Sequence, residues 1–286
     1  MAFLGTPSPA AVALRALAAS GHDIAIVVTR ADKRRGRNAA PTPSPVKQAA
    51  LELGLPVTQR IEDVLDAGAE LGIVVAFGRI IKDEVLERVP MVNAHFSLLP
   101  RWRGAAPVER AILAGDPETG VCLMAIDSGL DTGPVYACER VGIGAEETAG
   151  ELRERLAELG ASMLVHALET GLGEPLPQQG EPTYADKIEP EDLHLSWSRP
   201  AEELNRVVRV GRAWTTWREK RLLIMQAKVV PGPSPDANPG ELHGDVVATG
   251  AGGLRLLRVQ PEGRAALTAS DWIRGSRPAP RETFGT

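Results

Sequence analysis

The sequence has few of the features that mark secreted, membrane or metal-binding proteins. Only two cysteines, Cys122 and Cys138, occur among its 286 residues, and their spacing does not suggest a zinc site. No apolar run approaches the roughly 20 residues that a membrane-spanning helix needs, and the N-terminus lacks the basic and apolar stretches of a signal peptide. We therefore expect a soluble cytoplasmic protein with two buried thiols.

Two motifs that identify common enzyme classes are also missing. No Gly-x-Gly-x-x-Gly follows the first predicted strand, which argues against a dinucleotide-binding site. No Gly-x-Ser-x-Gly occurs and neither cysteine is well placed as a nucleophile, so a covalent acyl-enzyme is not indicated. If the protein transfers an acyl group, we expect direct transfer to an external nucleophile.

The patterns that are present predict an α/β protein with two domains. A strand at Phe3-Leu4, a helix over residues 8–17 and an apolar strand over residues 24–29 are typical of a βαβ unit with a parallel sheet. A linker rich in Pro, Gly, Glu and Gln precedes several short strands separated by turns, which indicate a small β-barrel. We also predict helices over residues 61–69, 107–114, 146–168 and 201–210. The predicted domains are 1–180 and 199–286, with a linker over 181–198.

Three polar residues follow predicted strands and are expected to meet. Asn93 and His95 stand two residues apart at the end of one strand, so alternation directs both side chains to the same face. A second strand, over residues 121–126, is followed by a glycine-flanked turn that presents Asp131. An amide and an imidazole can hold a carbonyl oxygen as it becomes an oxyanion, and a carboxylate can orient the imidazole and help pass a proton. Each residue alone also fits an ordinary strand end or turn; together they predict an acyl-transfer site.

The segments around these residues resemble those of a known family. They read Asn93-x-His95, then SLLP over residues 97–100, RWRGAAP over residues 101–107 and GLDTG over residues 129–133. With FLGTP near the N-terminus and YADKI over residues 184–188, they are similar to the 10-formyltetrahydrofolate-dependent formyltransferases. The resemblance covers nearly the whole chain and thins out after about residue 230. In that family several more residues usually precede the Gly-Thr-Pro turn, so we expect a short first strand.

The resemblance implies a fold, a donor and a set of site residues. It implies a Rossmann-like formyltransferase domain followed by an OB-like barrel, in a monomeric protein that needs no metal. It implies 10-formyltetrahydrofolate as formyl donor and Asn93, His95 and Asp131 as catalytic residues. The residues expected to line the folate slot are Ser97, Leu98, Leu99, Pro100, Phe77 and Gly78. Within the family, the chain is most similar to members that formylate initiator methionyl-tRNA.

Two basic regions bear on whether the acceptor is a tRNA. Residues 30–37 hold five cations and one acid, a composition that by itself fits a solvated loop. The resemblance implies that this loop contacts the tRNA acceptor end through Lys33, Arg34, Arg35 and Arg37. Residues 199–286 contain 14 Lys and Arg against 9 Asp and Glu, whereas residues 1–198 contain 18 against 28. A basic second domain fits contacts with phosphates.

Alternatives remain open from the sequence. Enzymes that formylate glycinamide ribonucleotide or an amino sugar share Asn-x-His and the distant Asp, so the acceptor could be a small amine. The chain could also be a catalytically silent RNA-binding protein on the same scaffold. The basic loop and basic second domain favour tRNA over a small amine, and the intact trio argues against a silent protein.

Overall fold

A computed structural model describes residues 1–34, 40–234 and 236–285, which fall into two compact units. Unit 1 comprises Met1–Val108, Glu118–Gly142 and Glu151–Asp186, and unit 2 comprises Glu109–Pro117, Ile143–Gly150 and Lys187–Thr286. The last division, after Asp186, lies inside the predicted linker. Within the described ranges, no helix is both long enough and apolar enough to cross a lipid bilayer.

Unit 1 is built on a seven-stranded sheet. The strands before Asp186 are β1 (Ala2–Gly5), β2 (Ile26–Val28), β3 (Lys33–Arg34), β4 (Pro41–Thr42), β5 (Val57–Thr58), β6 (Gly72–Val75), β7 (Met91–His95), β8 (Arg103–Gly104), β9 (Glu118–Ala125), β10 (Val135–Gly142) and β11 (Tyr184–Ala185). The large sheet has the order β10-β9-β7-β6-β1-β2-β5. Strands β5, β2, β1, β6 and β7 are parallel, and β9 and β10 add antiparallel pairings at one edge.

The parallel strands direct the chain to one edge of this sheet. Strands β1 and β6 are buried at every residue, which explains their apolar sequences. Because β2, β6 and β7 are parallel, the residues that follow them emerge at the same carboxyl edge, where ligands bind in open α/β sheets. The predicted site segments after β6 and β7 therefore begin on neighbouring strands, as the sequence indicates.

Helices flank the sheet and join its strands. Among the described residues, the α-helices are α1 (Ser8–Ala19), α2 (Pro45–Glu52), α3 (Asp83–Leu86), α4 (Pro107–Ala114), α5 (Ala149–Thr170), α6 (Ala201–Val210) and α7 (Ala269–Ser276), of which α6 and α7 belong to unit 2. Ser44 caps α2 by accepting a hydrogen bond from the Lys47 amide at 3.0 Å. The helix predicted over residues 61–69 is wrong, since only Glu62–Val64 forms a 3-10 turn. Gly68 adopts a left-handed conformation with φ 68°, which interrupts a right-handed helix within the predicted range.

The two cysteines differ from the sequence prediction. Cys122 on β9 lies directly opposite Cys138 on β10, with their Cα atoms 4.1 Å apart, and a disulfide joins them. The prediction of two buried thiols is therefore wrong. The antiparallel register places the residues opposite each other, and Cys138 is exposed because β10 is the edge strand.

Unit 2 contains an antiparallel sheet around its own core. Its strands are β12 (Trp214–Trp217), β13 (Lys220–Val230), β14 (Leu242–His243), β15 (Val246–Ala248), β16 (Gly253–Pro261) and β17 (Leu267–Thr268). Their order is β12-β13-β16-β15-β14, with β17 also paired to β16. Trp197, Trp272 and Phe284 lie in the buried core with α6. Trp214 and Trp217 are partly exposed and pack at the margin of this core, each beneath an arginine guanidinium.

Candidate active site

Asn93 lies near the carboxyl end of β7, between β6 and β9. Its neighbours across the sheet are Val74 on β6 and Met124 on β9. The Asn93 side chain is partly exposed, and its carboxamide makes no hydrogen bond with any residue that the structure describes. An amide held at the end of a central strand with its donors unused is available to a bound carbonyl oxygen.

His95, two residues further along β7, is buried and contacted at both ring nitrogens. Its exposed fraction is 6%. Nε2 lies 2.8 Å from the backbone carbonyl oxygen of Trp102, which can only accept a hydrogen bond. Nδ1 lies 3.6 Å from Oδ2 of Asp131, close enough for an ion pair but too far for a good hydrogen bond. The structure thus brings together His95 and Asp131 across 36 residues of sequence, as predicted.

The Asp131 loop is held by a local network. Oδ1 of Asp127 accepts hydrogen bonds from the Gly129 amide at 3.1 Å and the Thr132 hydroxyl at 2.7 Å. Asp131 adopts a left-handed backbone conformation with φ 52°, and its Oδ2 accepts a hydrogen bond from the Gly104 amide at 2.8 Å. The predicted sharp turn is therefore present, and the carboxylate is oriented by a backbone donor and faces the imidazole.

The SLLP segment continues directly from β7. Ser97 is fully buried, and its hydroxyl donates a hydrogen bond to the Arg101 carbonyl at 2.6 Å, so this side chain stabilises the loop. Leu98, Leu99 and Pro100 are partly exposed. The segment therefore presents apolar side chains beside the end of the strand that carries Asn93 and His95.

Phe77 and Gly78 follow the neighbouring strand β6. Phe77 is 6% exposed and its ring packs in the hydrophobic core of unit 1. Gly78 is exposed with φ 69°, and nothing lies within 4 Å of the position a Cβ would occupy. The backbone of Gly78, and not the Phe77 ring, is accessible at this point of the sheet edge.

The basic loop is only partly described. Lys33 and Arg34 form the short strand β3, paired with β4, and both side chains are exposed. Asp32, the acid of this segment, makes an ion pair with Lys47 on α2 at 2.8 Å. The other two predicted tRNA contacts, Arg35 and Arg37, lie outside the described residues.

Sequence reasoning missed Gln178 and Thr183. The Thr183 hydroxyl accepts a hydrogen bond from the Trp102 amide at 2.9 Å, and the Gln178 carboxamide contacts the Asp131 loop. Both lie in a stretch that composition assigned to the linker or its margin. The YADKI motif that follows Thr183 was the one available signal, because β11 within it pairs with β8 beside the site.

No group of three or more His, Cys, Asp or Glu side chains in the described part of the chain is arranged to hold a metal ion. The polar groups of the site are the His95 imidazole and the Asp131 carboxylate, which face each other, and the Asn93 carboxamide two residues earlier on β7. This set can bind a carbonyl oxygen and move a proton without forming a covalent bond to the protein.

Comparisons with known proteins agree with this chemistry. A family described as formyl transferase matches residues 1–168, and one described as formyl transferase, C-terminal domain, matches residues 187–277. Methionyl-tRNA formyltransferase of Symbiobacterium thermophilum is 45% identical and covers 96% of this chain and 91% of its own. The protein of the same name from Heliobacterium modesticaldum is 41% identical over 100% of this chain and 99% of its own.

A solved structure has a similar fold at much lower identity. It is the N-formyltransferase from Helicobacter canadensis in complex with folinic acid and dTDP-3-aminofucose. It is 17% identical with a TM-score of 0.68, and the match covers 89% of this chain and 98% of that one. At this identity the likeness concerns the fold alone.

Proposed function

The chain belongs to the formyl transferase family, and on that premise we propose that it formylates the methionine amino group of initiator methionyl-tRNA. The donor is 10-formyltetrahydrofolate, and the product is N-formylmethionyl-tRNA for translation initiation. Relatives that are 41% and 45% identical over nearly the full chain carry the name methionyl-tRNA formyltransferase, which supports this acceptor over a small amine.

The observation that carries the proposal is the unused carboxamide of Asn93. The methionine nitrogen attacks the formyl carbon, and the formyl oxygen gains negative charge as the new C–N bond forms. Asn93 donates a hydrogen bond to that oxygen, a contact that strengthens as the charge develops. Because the carboxamide has no protein partner among the described residues, binding the oxygen breaks no existing hydrogen bond.

His95 and Asp131 transfer the proton from the attacking amine to the leaving nitrogen of the folate. The attacking amine must lose a proton, and N10 of the folate must gain one as its bond to the formyl carbon breaks. Nδ1 of His95 and Oδ2 of Asp131, 3.6 Å apart, form an acid–base pair next to Asn93 on the same strand. For His95 also to stabilise the formyl oxygen, Nε2 has to exchange its hydrogen bond with the Trp102 carbonyl for the substrate.

The residues present fit a folate at the carboxyl edge of the sheet. Leu98, Leu99 and Pro100 offer partly exposed apolar side chains, and Gly78 offers open backbone without a side chain. A flat pterin ring needs such a mixture, because its faces are apolar while its edge carries donors and acceptors for backbone groups. Ser97 stabilises the loop through its hydrogen bond to the Arg101 carbonyl.

Lys33 and Arg34, together with Arg35 and Arg37, supply positive charge for the phosphates of the tRNA acceptor end. The excess of Lys and Arg in residues 199–286 gives the second domain the same property. The surface of that domain also carries arginine–tryptophan pairs, Arg221 over Trp214 at 4.4 Å and Arg218 over Trp217 at 4.0 Å. We propose that the protein works in the cytoplasm as a monomer, where charged initiator tRNA and folate are both available.

The proposal is tested by supplying 10-formyltetrahydrofolate with charged initiator tRNA, and separately with glycinamide ribonucleotide and an amino-sugar nucleotide. We expect N-formylmethionine to accumulate on the tRNA alone. Formylation of a small amine in preference to the tRNA would replace the proposed acceptor. If the protein binds the tRNA but formylates none of the three acceptors, it is a silent RNA-binding protein.

A further inference from the structure

We infer that Gln178 is a positioning residue that holds the Asp131 carboxylate against His95 during formyl transfer. The inference rests on the proposed function and deepens it. Gln178 lies outside the formyl transferase segment of residues 1–168 and in a stretch whose composition resembles a linker. Its carboxamide nevertheless bonds to the backbone of Asp131 itself and of Gly133.

The carboxamide of Gln178 uses all its donors and its acceptor near the site. Nε2 donates hydrogen bonds to the backbone carbonyl oxygens of Asp131 and Gly133, both at 2.8 Å. Oε1 accepts from Nε and Nη2 of Arg103, at 3.1 and 2.7 Å. Carbonyls only accept and a guanidinium only donates, so these partners fix which end of the amide is which.

These hydrogen bonds connect Asp131 to β8 by two routes. Arg103, which binds Oε1 of Gln178, is followed by Gly104, whose amide donates to Oδ2 of Asp131 at 2.8 Å. The carboxylate of Asp131 is therefore tied to β8 directly, and its backbone carbonyl is tied to β8 through Gln178. The position of the carboxylate beside Nδ1 of His95 therefore depends on this two-residue strand.

Asp131 needs such support because its backbone is in a costly conformation. Its φ of 52° lies in the left-handed region, which is uncommon for residues other than glycine, although Asp tolerates it better than most. The rest of the loop offers little packing, since residues 127–130 are exposed. Without the two bonds from Gln178, Asp131 can relax and its carboxylate moves away from Nδ1.

Gln178 itself stands on an anchored segment. Leu176 exchanges two backbone hydrogen bonds with Val135, both at 2.8 Å. Further along, the Thr183 carbonyl accepts from the Arg103 amide at 2.9 Å, and the Thr183 hydroxyl accepts from the Trp102 amide. The segment is thus fixed on both sides of Gln178, which makes its carboxamide a rigid spacer between β8 and the Asp131 loop.

The test compares Gln178→Leu with Gln179→Leu in the full chain. Both replace a glutamine by an apolar side chain of similar size, but Gln178 is partly exposed, whereas Gln179 is exposed and its side chain makes no hydrogen bond with the described residues. We expect Gln178→Leu to lower kcat on the order of 10²-fold, as a misplaced catalytic group does. KM for 10-formyltetrahydrofolate and for initiator methionyl-tRNA should stay close to the wild-type values, and Gln179→Leu should match wild type throughout.

A double-mutant cycle separates positioning from general destabilisation. If Gln178 acts through the Asp131 carboxylate, Gln178→Leu costs little further activity in an Asp131→Asn background. Gln178→Glu, which still accepts from Arg103 but cannot donate to the carbonyls, should lose as much activity as Gln178→Leu. Wild-type turnover in Gln178→Leu, or an equal fold-loss in both backgrounds, would overturn the inference. A wild-type protein that formylates no tRNA would instead refute the proposed function.

Discussion

Nε2 of His95 and the backbone carbonyl oxygen of Trp102 are 2.8 Å apart. Because the carbonyl only accepts, the proton of a neutral ring is on Nε2, and the lone pair of Nδ1 faces the Asp131 carboxylate at 3.6 Å. A ring that gains a second proton can donate to both partners at once. We propose that His95 takes up a proton during the reaction and holds it between these two acceptors until it is passed to the leaving nitrogen.

The Asp131 carboxylate should be essential for this proton transfer. Asp131→Asn keeps the size of the side chain and an oxygen that can accept from the Gly104 amide, but it removes the charge that balances a protonated His95. We expect kcat to fall by about 10²–10⁴-fold, the range of a lost general acid–base contribution. Steady-state formylation assays provide the measurement, with Asp66→Asn as an exposed aspartate control. Full activity of Asp131→Asn would show that the carboxylate has no part in the chemistry.

Asn93 is expected to act on the developing oxyanion and not on the stability of the fold. Asn93→Ala should lower kcat by on the order of 10²–10³-fold, as for other single oxyanion donors. Asn93→Asp keeps the shape but loses the donor and adds negative charge, so its activity should be no higher. Both variants should unfold near the wild-type temperature, because the carboxamide has no described hydrogen-bond partner to lose. Near-normal turnover in either variant would remove Asn93 from the mechanism.

The parallel sheet follows from local patterns in the sequence, whereas the meeting of His95 with Asp131 depended on the resemblance as well, because β9 runs antiparallel to β7 and ends beside Val92. Apolar strands of residues such as Ile73 and Val74 require cover on both faces, and strand ends next to glycines present polar residues at a sheet edge. The resemblance of the GLDTG and Asn-x-His segments then identified which polar residues belong together. Each of these sequence motifs lies within a few residues of the side chain whose position it predicts.

Contacts between distant segments were not predictable in the same way. The pairing of Cys122 with Cys138 depends on the register of β9 and β10, which a shift of one residue would abolish. Gln178 reaches Asp131 across 47 residues, from a stretch rich in Pro, Gly and Gln that has no periodicity. Apart from the YADKI motif that follows it, nothing in the sequence distinguishes this anchored segment from a flexible linker.

Gly133 is expected to be irreplaceable for steric reasons. A Cβ added there would lie 1.9 Å from the backbone carbonyl oxygen of Ala125, which cannot move without breaking β9. Gly133→Ala should therefore displace the Asp131 loop and reduce formylation at least as much as Asp131→Asn. Gly150→Ala is the matched control, since its Cβ would meet only the Thr148 hydroxyl at 3.8 Å. Normal activity of Gly133→Ala would mean that the loop adapts without losing the His95 contact.

The basic loop should contribute to tRNA binding through phosphate contacts. Arg37→Ala should weaken the affinity for initiator tRNA and reduce the slope of log affinity against log salt concentration by about 1. Filter binding across a salt series measures both quantities. Arg88→Ala, at an exposed arginine with no ion pair among the described residues, provides the control. An unchanged affinity at every salt concentration would assign the loop no role in binding.

Glu241 should make the stability of unit 2 depend on pH. The hydrogen bond from Asn238 at 2.6 Å, followed by those from Arg281 and His243, lowers the pKa of Glu241 from 4.5 to about 2, against the opposing effect of burial. A carboxyl whose pKa is lowered by folding stabilises the fold above its unfolded pKa. This contribution is complete above about pH 4.5 and is lost as the pH falls towards 2.

Glu241→Gln should therefore lower the unfolding temperature at pH 7, because the amide presents a donor to groups that need an acceptor. The difference from wild type should shrink as the pH falls from about 4.5 towards 2, where the wild-type carboxyl is protonated. Tryptophan fluorescence can follow this transition, since Trp197, Trp214, Trp217 and Trp272 all belong to unit 2. Glu219→Gln, at an exposed site without an ion pair among the described residues, should leave the unfolding temperature unchanged. A constant difference between wild type and Glu241→Gln across this pH range would show that the carboxylate charge does not stabilise unit 2.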